Sequence, residues 1–262
     1  MGRIVAITNQ KGGVGKTTTA VNLAACLSAC ERRVLLIDLD PQANATTGSG
    51  VDKNALEKTT CEVLLGEARA MDSIIPIEQG GYALLPANPD LTAAEVRLLQ
   101  EIGREMKLSQ ALEPVSGMYD YIFIDCPPSI NMLTLNALTA AHGVLIPIQC
   151  EYYALEGLSS LLETVRQIRN SVHPNIEIEG LLRTMYDPRN RLSDEVSAQL
   201  LKHFSDKVYD AVIPRNVRLA EAPSFGVPVL IHDPRSSGSQ AYMNLAREII
   251  RREIPAARAG AA

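Results

Sequence analysis

The run Lys11-Gly12-Gly13-Val14-Gly15-Lys16-Thr17-Thr18 constrains the fold of this chain more than any other feature, because of what stands on either side of it. A short apolar segment, Arg3 to Thr8, precedes it and an amphipathic stretch, Lys16 to Ala29, follows. A strand, a glycine loop and a helix in that order turn backbone N–H groups inward around phosphate oxygens, at a helix N-terminus that adds partial positive charge. Gly12, Gly13 and Gly15 free the backbone for that path, Lys16 suits the β and γ phosphates, and the Thr17 hydroxyl suits Mg²⁺. Val14 and Thr18 complete the set of candidate nucleotide contacts. The generic pattern wants glycine at position 10, where this chain has Gln10, and an additional lysine, Lys11, opens the loop.

Downstream, short runs rich in Val, Ile and Leu alternate with longer helical patterns, which predicts βαβ units and a three-layer α/β fold on a mostly parallel, twisted sheet of about seven or eight strands. The predicted strands are Arg3–Thr8, Arg33–Asp38, Tyr82–Pro86, Tyr119–Asp125, Gly143–Gln149, Ile178–Thr184, Ala211–Ile213 and Val227–Ile231. Helical patterns cover Lys16–Ala29, Leu91–Leu112, Thr134–Ala141, Ala154–Ser171, Asp194–His203 and Ser239–Glu253. No linker interrupts them, so residues 1–254 are expected to form one domain, with a disordered small-residue tail at 255–262.

Two strand ends are acidic: Asp38-Leu39-Asp40-Pro41-Gln42 and Asp125-Cys126-Pro127-Pro128. In a parallel sheet both reach the C-terminal edge, where the glycine loop also lies. Phosphoryl transfer depends mainly on placement and charge neutralisation, and it needs acids for a metal's shell and for orienting water.

Net charge is −5, yet the charge is uneven: residues 1–180 hold 13 basic against 21 acidic side chains, and residues 181–252 hold 11 against 8. A local basic face is compatible with that split. Five cysteines without a Cys-x-x-Cys pair, and no histidine at ligand spacing, argue against a zinc site and for reduced core thiols. No apolar run approaches the roughly 20 residues that span a bilayer, and no secretory h-region opens the chain, so a cytoplasmic location is expected.

The glycine loop with its extra Lys11 resembles the deviant Walker A motif of the ParA/MinD superfamily of P-loop NTPases. Two further stretches, Cys150-Glu151-Tyr152-Tyr153-Ala154-Leu155-Glu156-Gly157 and Ile213-Pro214-Arg215-Asn216-Val217-Arg218-Leu219-Ala220-Glu221-Ala222-Pro223-Ser224, resemble chromosomal ParA (Soj) proteins, so the similarity spans nearly the whole chain. The resemblance implies a weak Mg²⁺-dependent ATPase with ATP and Mg²⁺ as cofactors. It makes Lys11, Lys16 and Asp40 catalytic, with Lys11 reaching the nucleotide of a second subunit in an ATP-sandwich homodimer and Asp40 orienting water. Asp125 becomes the Walker B aspartate, and Thr17, Asp38, Asp40 and Asp125 the metal side. Pro214, Arg215 and Asn216 would border the adenine with Met185, although Pro214 reads equally well as a strand terminator.

For DNA the resemblance points to Arg189 and Arg218, with Arg215 and Arg247 and, further, Arg191, Lys202, Arg251 and Arg252. Without a zinc finger or helix-turn-helix, binding to double-stranded DNA is expected to be backbone-directed and non-specific, at the nucleoid. A ParB-type centromere-binding protein is the implied partner, and partitioning of a chromosome or plasmid the implied role. A MinD-like membrane switch would need a C-terminal amphipathic anchor, but here Arg247–Arg252 runs into Ala and Gly without Phe, Trp or Leu. An iron–sulfur ATPase like the nitrogenase iron protein would need a second cysteine to accompany Cys126 at a switch loop. A scaffold that holds ATP without hydrolysing it sits poorly with Lys16, Asp40 and Asp125 together.

Overall fold

The structure is a computed structural model that describes residues 2–253. Its centre is an eight-stranded sheet of β1 (Arg3–Ile7), β2 (Val34–Asp38), β3 (Ile75–Ile77), β4 (Tyr82–Leu85), β5 (Tyr121–Asp125), β6 (Gly143–Gln149), β7 (Glu177–Tyr186) and β8 (Val208–Pro214). Across the sheet the order is β3-β4-β2-β5-β1-β6-β7-β8, parallel throughout except for the antiparallel edge pair β3–β4. The long helices are α1 (Lys16–Ala29), α8 (Ala154–Ser171), α9 (Arg191–Phe204) and α12 (Ser237–Glu253). Shorter ones are α2 (Asn44–Gly48), α3 (Thr60–Leu64), α4 (Ala70–Ser73), α5 (Leu91–Leu98), α6 (Lys107–Leu112), α7 (Met132–Ala140), α10 (Val217–Glu221) and α11 (Val229–His232).

Alternation along the central strands divides the interior into two cores. Ile4 and Ala6, Leu35 and Ile37, and Ile122 and Ile124 face one core with Leu133 of α7 and Leu158 and Leu161 of α8. Val5 and Ile7, Val34 and Leu36, and Tyr121 and Phe123 face the other with Leu23 and Leu27 of α1 and Leu245 of α12. All five residues of β2 and of β5 are buried, as a parallel sheet covered on both faces requires.

The three-layer reading of the sequence matches this architecture, and α1 and α8 have the predicted bounds. Three element assignments are corrected. Val227–Ile231 is no strand: the chain forms α11 there, and the Val229 amide donates to Asn22 Oδ1 at 2.7 Å rather than to a strand. The eighth strand is instead β3, a three-residue edge carrying Pro76, too short for periodicity to reveal. Leu91–Leu112 is not one helix but α5, a 3₁₀ turn at Arg104–Met106 and α6, interrupted at Gly103 with φ +64°. The expected tail 255–262 lies outside the described residues.

One backbone approach ties the region after α2 to the loop before α11. Gly50 has φ +83°, and a Cβ there would stand 2.7 Å from the Gly226 carbonyl oxygen. Gly50→Ala therefore combines a left-handed conformation with a backbone clash, and should lower unfolding free energy by about 2–4 kcal/mol. Urea titration checks this; a midpoint equal to the parent's would show that the two loops separate without cost.

Candidate functional site

β1 lies between β5 and β6, and the chain leaves β1 and β6 in opposite directions across the sheet, through α1 to β2 and through α8 to β7. The reversal opens a crevice at the C-terminal strand ends, the usual ligand position in such sheets. The glycine loop fills its floor. Asn9 donates its side-chain amide to Pro147 O at 2.7 Å and accepts from the Lys11 amide at 3.0 Å, which holds the start of the loop. The Thr184 hydroxyl donates to Val14 O at 2.8 Å and holds the middle. Gly13 and Gly15 have φ of +73° and +84°, and a Cβ on Gly12 or Gly13 would meet nothing within 4 Å. The loop thus faces an open hollow. α1 begins there with no side-chain cap and no acid in its first turn, leaving its first N–H groups available to an anion.

Lys16 is only 7% exposed, and its Nζ donates to Lys11 O at 3.3 Å. Burial lowers its pKa, while the charges of Asp125 and Asp40 act in the opposite sense. Lys11 lies apart from it: the side chain is 42% exposed and its Nζ pairs with Glu151 Oε2 at 2.5 Å. Thr17 and Thr18 are half-buried at the start of the helix.

Behind the loop, Asp38 and Asp125 are register partners on adjacent strands, both fully buried. Asp38 is already engaged: one oxygen accepts from both the amide and the hydroxyl of Thr46 at 2.7 Å, the other from the Asp40 amide at 3.2 Å. Burial raises its pKa, and the Thr46 bonds oppose the rise. Asp125 differs, since neither carboxylate oxygen has a hydrogen-bond partner. Burial, then the charge of Asp38, pushes it well above the usual carboxylate range; the Thr17 hydroxyl, short of a well-formed bond, and Lys16 pull it back. A buried carboxylate without a partner is costly unless a cation meets it. The donors around it, a carboxylate and a threonine hydroxyl, are hard oxygen ligands that fit Mg²⁺. Asp40 is 8% exposed and accepts from the Gln42 amide at 2.9 Å.

Beside the loop opens a cleft of about 300 Å³ between Gly15 and Thr18 on one side and Met185, Pro214, Arg215 and Asn216 on another, closed by Ile213, Leu219 and Tyr242. Met185 is inside β7 rather than after it, with φ +48°, and Pro214 ends β8. Asn216 caps α10 by accepting from the Leu219 amide. The largely apolar walls suit a planar base next to a phosphate cradle.

The candidate DNA arginines divide into two groups. Arg189 and Arg191 follow β7, and Arg215 and Arg218 follow β8, all at the C-terminal strand edge. Arg251 and Arg252 reach the opposite edge, where Arg252 donates to Val208 O at 2.8 Å and lies 4.6 Å over the Tyr209 ring. Arg247 is exposed one turn before Arg251, and Lys202 is near the far end of α9. α12 and α9 both run back along the sheet from the edge that carries the loop, which separates these four basic residues from the first group. Asn9, Thr46, Thr184 and Tyr242 were missed by sequence reasoning. Asn9, Thr184 and Tyr242 each make a long-range contact, with a sequence separation of 138 residues to Pro147, 170 to Val14 and 223 to Thr19, and Thr46 bonds to Asp38 eight residues away, outside any motif that would mark it.

The model of the AAA domain family matches residues 2–178. The chromosome partitioning protein ParA of Caulobacter vibrioides is 53% identical over 253 residues, covering 96% of this chain and 95% of that protein. The chromosome-partitioning ATPase Soj of Thermus thermophilus is 50% identical over 251 residues, covering 95% and 96%. Among solved structures, the cobyrinic acid a,c-diamide synthase of Mycobacterium smegmatis with bound ATP analog and magnesium superposes with a TM-score of 0.84 at 38% identity, over 96% of this chain and 95% of that one. Sequence similarity over nearly its whole length, together with the shared glycine-loop architecture, means that the chain belongs to the ParA/Soj family of chromosome-partitioning ATPases.

Proposed function

We propose that this chain is a partitioning ATPase that closes into a homodimer around ATP and Mg²⁺, and grips double-stranded DNA without regard to sequence only in that state. The observation that carries the reading is one juxtaposition. An uncapped glycine loop with a buried lysine stands in front of a buried, unpartnered carboxylate, and Gly15 and Thr18 at the end of that loop border a base-sized apolar cleft. That charge arrangement suits a nucleoside triphosphate with its divalent cation and leaves either part alone poorly matched.

The ATP analog and magnesium named for the mycobacterial structure support the same ligands here. When bound, Mg²⁺ supplies charge neutralisation and ATP supplies the phosphoryl group transferred to water. Amides of Gly12 to Thr18 and the Lys16 ammonium hold the phosphates. Thr17 and Asp125 face the metal side, Asp38 fixes the Asp40 turn, and Asp40 orients the attacking water. Met185 and Pro214 to Asn216 border the adenine. Lys11, turned away from its own loop, reaches the phosphates of a second copy.

Closing two copies sets the Arg189, Arg215 and Arg218 clusters of both against one duplex and about doubles the phosphate contacts, so affinity depends steeply on nucleotide and salt. Arg247 belongs to a separate patch that adds backbone contacts at most. A ParB-type centromere-binding protein then stimulates hydrolysis at the nucleoid, and release with rebinding moves the partner-loaded locus. Among the described residues no helix is long and apolar enough to cross a membrane.

The test is DNA affinity with ATP, ADP and no nucleotide at two salt concentrations, for the parent and for Arg189→Glu and Arg218→Glu. Binding confined to the ATP arm is expected, with each reversal weakening it at least about tenfold and sparing ATP affinity. Equal DNA binding in all three nucleotide arms would refute the switch.

A further inference from the structure

Each of the two arginines that lead the DNA reading is already paired within its own chain. Arg218 is gripped twice: its Nη1 donates to Glu221 Oε2 at 2.8 Å, and its Nε lies 3.2 Å from Asp233 Oδ2. Glu221 comes from the same helix one turn on, whereas Asp233 comes from the segment after α11, so the clamp needs the tertiary fold and not helical spacing alone. His232 Nε2 stands 3.6 Å from the same Glu221 oxygen, and Phe225, 66% exposed, stacks on the His232 ring at 4.7 Å between centroids, walling one side of the cluster. Arg189 is held by Asp187 through its Nε and Nη2, both at 2.9 Å, and donates its own amide to the same carboxylate at 3.0 Å. These contacts hold Asp187 down to about 2 and Glu221 below the usual carboxylate range. Both acids are therefore charged near neutral pH.

The consequence for a polyanion is a matter of local charge. Arg189 with Asp187 sums to zero, and Arg218 with Glu221 and Asp233 sums to −1. A phosphate that approaches either arginine meets a carboxylate already in place and must displace it. Exposed ion pairs are weak, about 0–1 kcal/mol each, so displacement is feasible, but every pair lowers the gain from a phosphate contact. One copy, with few contacts, is left with little net attraction. A duplex held by two copies offers an array of phosphates that can outcompete all the pairs together.

Resting on the proposed DNA-gripping dimer, we propose that Asp187, Glu221 and Asp233 are built-in competitors for DNA phosphate, which offset the charges of Arg189 and Arg218 in the lone subunit and thereby confine DNA binding to the ATP dimer. They set the contrast between the two states. Glu221, carried on the arginine's own helix, and Asp233, reaching across from the next segment, act together on one guanidinium.

The experiment uses the full chain and a short random-sequence DNA duplex followed by fluorescence anisotropy, at two salt concentrations, with ATP, with ADP and without nucleotide. The variants are the isosteric Glu221→Gln/Asp233→Asn pair and, on a separate loop, Asp187→Asn. Each is expected to tighten binding in the ATP arm by up to about fivefold for every pair removed, since one such pair is worth at most about 1 kcal/mol. Each should also produce measurable binding without nucleotide at low salt, narrowing the ATP-to-apo ratio. Thermal melting reports the fold, and should the double variant not fold, Asp187→Asn alone decides. Unchanged or weakened DNA affinity in folded variants, while Arg218→Ala still weakens the parent, overturns the competitor role and leaves the DNA reading intact. Full DNA binding by Arg218→Ala overturns both.

Discussion

Lys16→Ala should lose ATP affinity by about a hundredfold or more, since charge-assisted hydrogen bonds to phosphate contribute roughly 1.5–3 kcal/mol each and Lys16 supplies the one buried ammonium beside the loop. ATP-dependent DNA retention should vanish with it. The apo protein should behave otherwise. Without nucleotide, Lys16 is a 7% exposed cation whose recorded hydrogen bond is a long one, 3.3 Å to Lys11 O, so its desolvation is poorly offset. Its removal should leave the apo melting temperature within a few degrees of the parent's. Isothermal titration and thermal melting test the two halves separately. A variant that retained parental ATP affinity would remove Lys16 from the phosphate site; one that unfolded would make its role structural.

Asp40→Ala should have the opposite effect on DNA. Its carboxylate caps the Gln42 amide at 2.9 Å, so truncation costs about 1 kcal/mol of local turn stability and leaves the phosphate cradle untouched. Water loses its orienting group, and turnover should fall about 10²- to 10⁴-fold. With hydrolysis blocked and Lys11 unaltered, the ATP dimer should accumulate on DNA and persist after free ATP is removed. Phosphate release, size exclusion and DNA dissociation are the measurements. Fast dissociation like that of Lys16→Ala would assign Asp40 to nucleotide binding rather than to water. The two variants therefore separate gripping from letting go, and a purified chain that stays single with Asp40→Ala, ATP and magnesium would dismiss the dimer itself.

The contrast between Asp38 and Asp125 shows how far sequence reading reaches. Both aspartates end an apolar strand and both were assigned to the metal side. Only in the fold does the Thr46 side chain, eight residues on, occupy one Asp38 oxygen, while Asp125 is left with two bare oxygens. The arginines give the same lesson. Arg215, Arg218, Arg247 and Arg251 read alike in sequence, yet opposite strand edges separate the first two from the last. Helix bounds were legible where a long amphipathic pattern met a clear start, as at α8, and illegible where a four-residue element such as α11 depended on Asn22 from another helix.

The sequence by itself determined the fold class and the phosphate loop. Strand, glycine turn and helix are set by local backbone freedom and by alternation, and both are written in neighbouring residues. Tertiary structure alone decided which carboxylate is left without a partner, where the base cleft opens, and that Asp233 joins Glu221 on Arg218. Those outcomes depend on desolvation and on contacts between segments as much as 223 residues apart, and such energies exist only once the chain has closed around its sheet.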